Sequence, residues 1–529
     1  MLAAELMFHF LLTVIITAIV AMFVLWRYRA AVLKGMSFAS AESLAVAPRR
    51  TTRADLPPAT GGDTTTLAWE RTMHRRAICA WLLTVAVPAP LIAVAYLAGG
   101  QISATTVVMT SAIVVGAAVP MIAVSLGWTW KRGVLFWLEV LLAGALLTVV
   151  ASMLQRLARG ALPTLDQLLN VVPFFQVAAV LSSVPLLLLL VSGSGRLRGV
   201  VPITFAGLLV FGLAPILGSR ATQWLAQSHA GTEFLLGTVS IVGLHAAFIL
   251  FALPTGWVAW TRLQAVARKY EAKAFSDVQL LARAWWLMFI ASLVLEILNK
   301  EGAALWAVIA CAAAYPVFVV VNRYAVRWFG LASEKQAPRG LLLLRVFGYT
   351  ARTERLFDRI GSRWRYFGPV TMIAAPDVVV RSIDPAEFLY YMVGAIEDNF
   401  VRSAADLERR LETLDTRRDP DGRFRVNDFC CASTTWRATV TALMERADVV
   451  LMDLRGVTNR QHGCEFELSD LPARLSPHRI VLIVDNATDR AFVRAALGQA
   501  ADTVRFFEMA RPRPAATQEL FRGLLRAAA

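Results

Sequence analysis

Nine windows of about 20 mostly apolar residues constrain this chain more than any other feature, because each can carry an α-helix across a hydrocarbon core of about 30 Å. They run approximately over residues 3–26, 77–98, 104–127, 134–155, 171–192, 199–218, 235–259, 280–299 and 302–323. A mean hydropathy of +0.56 with 57% apolar residues agrees, since soluble proteins rarely reach it. Only 12 of the 38 acidic residues precede residue 331. The reading is a polytopic α-helical membrane bundle over residues 1–330, followed by a water-soluble domain over 331–529.

The first window has no basic leader and ends in Trp26, Arg27, Tyr28 and Arg29, which fits an uncleaved anchor at an interface. The net charge of +15 belongs mainly to the membrane half, where 24 basic residues face 12 acidic ones; the remainder holds 29 against 26. A basic excess in membrane loops orients helices, which argues against nucleic acid as a partner. Alternate loops carry 20 and 4 basic residues, so nine spans place the N-terminus outside and the C-terminal domain in the cytoplasm of an inner or plasma membrane. The loop over about 27–76, with Pro57, Pro58, Gly61 and Gly62, reads as a flexible cytoplasmic segment.

Ionisable groups at membrane depth are few: Glu139, His245 and Glu296. Both glutamates lie within about two turns of a polar boundary, and His245 can bond a neighbouring helix, so a transport pathway gains little support. Gly193, Ser194 and Gly195 follow no strand and precede no Gly-Lys-Ser/Thr, which makes them a linker. Cys79, Cys311, Cys430, Cys431 and Cys464 show neither disulfide-framework nor CxxC spacing; reduced thiols and no metal are expected.

After residue 340 the pattern changes. Short apolar runs at 341–347, 369–375, 424–430, 448–454, 479–485 and 503–509 alternate with helical patterns at 351–364, 385–413, 435–446, 465–474, 487–498 and 516–527. Strands buried on both faces, alternating with helices, make a doubly wound, flavodoxin-like α/β domain with a parallel sheet. Ligands of such folds sit at the carboxyl ends of the strands where the strand order reverses, which points to Arg345, Phe347 and Tyr349, to Asp377, and to the loop after Asp453. In the following helix Cys464 and Glu467, three apart, share a face while Glu465 points elsewhere.

The stretch from Trp436 to Leu468 resembles the TIR (Toll/interleukin-1 receptor) domain and its bacterial relatives. An amphipathic helix leads into a buried strand, a loop, and a helix in which Cys464, Glu467 and Leu468 hold the places of the family's Cys-x-x-Glu-Leu. LLLLRVF, a helix, and then GPVTMIAAPD look like the first βαβ unit of the same superfamily, which includes nucleoside deoxyribosyltransferase-like enzymes. Gly463 stands where many members have Trp, and an insertion over about 384–422 separates the second strand from the rest of the sheet.

The resemblance implies cleavage of the N-glycosidic bond between nicotinamide and ribose in NAD, which is then a substrate and not a cofactor. It makes Glu467 the catalytic carboxylate, with Asp453 as a second carboxylate toward a ribose hydroxyl or a proton. Arg345 then faces phosphates, Phe347 and Tyr349 stack a base, and Asp377 and Cys464 line the site. The implied partners are the lipid bilayer, NAD or a related nucleotide, and further copies of the domain. A catalytically silent signalling module, and a transporter with a regulatory tail, stand as alternatives.

Overall fold

The computed structural model describes residues 25–35, 63–98, 102–126, 130–160, 225–299, 304–331, 338–345, 351–374, 400–432 and 434–528, with a few single positions between them. A helix, α1 (Asp63–Ala86), forms where Met73, Ala77, Ala80 and Trp81 recur at helical spacing and are buried. Pro88 and Pro90 interrupt it, and α2 (Ala89–Tyr96) follows. The expected loop over 27–76 is therefore helical at both ends, over 25–35 and from Asp63 onward.

Next come α3 (Ala104–Ser125), α4 (Trp130–Leu157), α5 (His229–Glu271), α6 (Asp277–Asn299) and α7 (Leu305–Trp328). Four described stretches are long and apolar enough to cross a membrane: Arg71–Tyr96, Ala104–Ala123, Lys131–Leu157 and Leu305–Trp328. They mark a multi-pass membrane protein. On α4 the side chains of Leu135, Leu138, Leu142, Leu146, Leu147 and Leu154 are all exposed, a surface that lipid accepts and water does not. The windows at 235–259 and 280–299 fall in α5 and α6, whereas 171–192, 199–218 and nearly all of 3–26 lie outside the described residues. The side chain of His245 lies outside them too; Glu139 is exposed on α4, and the Tyr96 hydroxyl donates to Glu296 at 2.7 Å.

Two compact units divide the chain. In the first, Ala282, Trp285, Trp286, Phe289, Ile290, Leu293 and Ile297 give α6 a wide buried stripe. Small residues on α7, Ala307, Cys311 and Ala314, allow close helix packing, and Phe318 meets Trp286 at 5.0 Å between ring centroids. Three buried amides and hydroxyls tie this core across helices. Gln279 Nε2 donates to Asn322 Oδ1 at 2.9 Å, and Asn322 Nδ2 donates to Thr84 Oγ1 at 3.4 Å. Asn322→Leu is expected to lose about 1–2 kcal/mol, because it removes one partner from each of two buried groups. Thermal labelling of buried Cys311 by a thiol dye in the full chain checks this; an unchanged midpoint would remove the clamp from the account.

In the second unit the strands are β1 (Leu341–Arg345), β2 (Val370–Ala374), β3 (Phe400–Val401), β4 (Val426–Cys431), β5 (Val449–Asp453), β6 (Ile480–Val484) and β7 (Arg505–Glu508). They form a seven-stranded, wholly parallel sheet in the order β3-β4-β2-β1-β5-β6-β7. All five residues of β5 and of β6 are buried, which accounts for their continuous apolar sequence. The intervening helices are α8 (Ala351–Trp364), α9 (Ala404–Glu412), α10 (Trp436–Met444), α11 (His462–Arg474), α12 (Arg490–Leu497) and α13 (Pro514–Ala527). Residues of α10, α11 and α12 join one core with Leu342, Val450, Met452 and Leu482, while Trp364 and Phe521, 6.1 Å apart, bring α8 and α13 together in another layer.

The helix expected over 385–413 is corrected in part. Phe400–Val401 is a strand on β4, and α9 begins only after Ser403, whose hydroxyl caps it by accepting from the Asp406 amide at 3.2 Å. A two-residue strand is too short to show a period of two.

Candidate functional site

From β1 the strand order runs outward in two directions, through β2 on one side and β5 on the other, and the crevice between them lies at the carboxyl ends of β1 and β5. Arg345 and Asp453 are the last residues of these strands and stand side by side in register. Thr353, in the first turn of α8, donates its hydroxyl to Asp453 Oδ2 at 2.7 Å. Arg455 donates from Nε to Oδ1 at 2.8 Å and from Nη2 to Oδ2 at 2.6 Å, and its backbone amide adds a bond to Oδ1 at 3.2 Å. Both oxygens of Asp453 are thus engaged, and its side chain is 2% exposed. Asp453 anchors the site and is already saturated with donors.

Glu467 is placed by α11. The buried stripe of this helix is Cys464, Glu467, Leu468 and Leu471, so a carboxyl occupies a position that the helical period assigns to an apolar side chain. Glu465 turns outward and pairs with His462 at 3.5 Å. Glu467 Oε2 is buried and has no hydrogen-bond partner among the described residues. Burial raises the carboxyl from its ordinary 4.5 to about 8, with the nearby Arg345 guanidinium pulling weakly the other way. At neutral pH Glu467 is therefore mostly a neutral acid, as in the strained carboxyls of many active sites.

The structure brings Arg345, Asp453 and Glu467 to one end of the sheet. Cys464 is wholly buried in the core that α11 shares with β5 and β6, a packing thiol on the same helix face. Phe347, Tyr349 and Asp377 lie outside the described residues. Among the described residues no cluster of His, Cys, Asp or Glu is arranged to hold a metal ion. Arg455 and Asp485, in the loops after β5 and β6, and Thr353, in the first turn of α8, were not singled out from sequence. Asp485 Oδ1 accepts from the Gly456 amide at 3.1 Å and fastens the loop after β5 to the one after β6. Gly456 has φ +74, a conformation that disfavours side chains, so the chain turns sharply just beyond Arg455.

No family model matches the chain, and it matches no curated protein and no solved structure.

Proposed function

We propose that the C-terminal domain is a TIR-like effector that cleaves the N-glycosidic bond of NAD or a related nucleotide, held at the cytoplasmic face by a nine-span bundle whose N-terminus is outside. The observation that carries the reading is Glu467: a buried carboxyl with an unpartnered oxygen, raised to about 8, beside the point where the strand order reverses. The run β2-β1-β5-β6-β7 within the sheet has the flavodoxin-like order, and the Cys464 to Leu468 motif falls on the helix after its third member. The division of basic residues, 20 to 4, supports the orientation.

Nicotinamide in NAD is cationic, so it leaves as a neutral base and needs no acid. The bond electrons pass to the ring nitrogen, and positive charge develops at the anomeric carbon. An ionised Glu467 stabilises that charge in a site shielded from water, and an attacking water completes hydrolysis by giving up a proton to the carboxylate. The cationic substrate itself favours ionisation of Glu467 on binding.

The test is release of nicotinamide from NAD by the full chain in lipid nanodiscs, clustered and unclustered. Because the ionised form acts, kcat/KM is expected to rise with pH and level off above about 8. Absence of turnover in both states would favour the silent signalling module, and turnover that falls as pH rises toward 8 would remove Glu467 from the mechanism.

A further inference from the structure

The guanidinium of Arg455 is used on one side only. Nε and Nη2 are bonded to Asp453, but Nη1 is buried and meets no acceptor among the described residues. The side chain is 6% exposed, so water does not readily serve the remaining donors. A buried donor left without a partner costs about 1–3 kcal/mol, and more when it belongs to a charged group. Asp453 cannot relieve it, since its oxygens already take Arg455, Thr353 and a backbone amide.

The surroundings favour an anion at that position. Arg345 is the in-register neighbour of Asp453 on β1, so a second arginine starts from the strand end beside the Arg455–Asp453 pair. The 14-residue α8 starts beside Asp453, as the Thr353 bond shows, and brings the positive end of its dipole there. A guanidinium clamped by a carboxylate is also held rigid, so a ligand meets it without loss of side-chain freedom.

We infer that Arg455 is a binding residue for an oxyanion, the phosphate of a nucleotide ligand, which is taken by Nη1 while Asp453 holds the guanidinium in place. The inference rests on the nucleotide reading of this site but needs no turnover. Asp453 thereby becomes a positioning residue that acts through Arg455.

Equilibrium binding of adenosine, AMP and inorganic phosphate to the full chain in nanodiscs tests it. AMP is expected to bind at least about tenfold more tightly than adenosine, with the difference shrinking as salt is raised. Arg455→Gln should abolish the difference. The double variant Asp453→Asn with Arg455→Gln, which leaves no uncompensated buried charge, should do the same while Cys464 stays protected from alkylation. Phosphate binding that also depends on Arg455 would support the inference and show that the oxyanion suffices. Equal binding of AMP and adenosine by the unaltered chain, no binding of either, or a preference for AMP that survives in the folded double variant would overturn it. The two readings fail separately: an Arg455-dependent preference for AMP in an unaltered chain that releases no nicotinamide, clustered or unclustered, sustains the phosphate site and ends the NAD proposal.

Discussion

Glu467→Gln is expected to abolish nicotinamide release and, above about pH 8, to make the C-terminal domain more stable. Both effects come from the same burial. The unfolded carboxyl titrates near 4.5 and the folded one near 8. Between these values the native state holds a proton that the unfolded state has lost, so the contribution of Glu467 to stability is fully present below 4.5 and falls as pH rises toward 8. At about 1.36 kcal/mol per unit this amounts to a loss of about 5 kcal/mol, the cost of ionising a carboxyl in apolar surroundings. Gln has the shape of the protonated acid and cannot ionise. Hydrogen exchange of peptides covering β5 and β6, corrected for its intrinsic pH dependence, should show the unaltered chain losing protection relative to the variant between pH 5 and 8. Equal protection at both ends of that range would mean that the carboxyl is solvated. A variant that is inactive and yet more stable at high pH would assign Glu467 to function, because a packing residue would not behave so.

The helix face that carries Glu467 was legible because three-residue spacing from Cys464 specifies it, but that its Oε2 meets no hydrogen-bond partner among the described residues was not. Which donors surround a buried carboxyl depends on residues far away in sequence, as Thr353 shows by bonding to Asp453 across 100 positions. Arg455 lies in the loop after Asp453 to which the sequence points, but only its bonds to Asp453 and the register of β1 with β5 single it out within that loop. The strands LLLLR, VVLMD and IVLIV declare themselves because both faces are covered, and burial removes polar residues from the whole run. The membrane half is legible in a coarser way. Hydropathy marks where helices can cross, and α6, with Asp277 near one end and Glu296 near the other, is helical with a wide buried stripe.

The insertion over 384–422 misled most, since its charges suggest a solvated helix, and its last part predicts the second large effect. Asp419, Pro420, Asp421 and Gly422 form a turn closed by the Gly422 amide on the Asp419 carbonyl at 2.8 Å, an arrangement that this composition favours. The turn leads Arg425 back onto Asp419, with Nε 2.9 and 3.0 Å from its two oxygens, while Arg423 binds Asp421 at 2.6 Å. Asp419 is 0% exposed and Arg425 6%, so this ion pair is almost dry. Asp419→Ala is expected to cost about 3–5 kcal/mol, because it leaves the buried arginine with only the longer pairing to Asp415 at 3.8 Å. Asp419→Ala combined with Arg425→Met, which removes both charges and restores volume, should recover most of that loss. Gly422→Ala should also destabilise, since Gly422 has φ +84 and an added Cβ would collide with the Leu331 carbonyl. All these residues precede β4 and therefore sit at the amino end of the sheet, opposite Glu467 and Arg455. Urea titration of the full chain with AMP binding as the readout separates the two ends. The expected result is an earlier loss of binding with unchanged affinity in the folded fraction. A variant within about 1 kcal/mol of the unaltered chain would show that water reaches the pair, and weakened affinity at full folding would show that the two ends of the sheet are coupled.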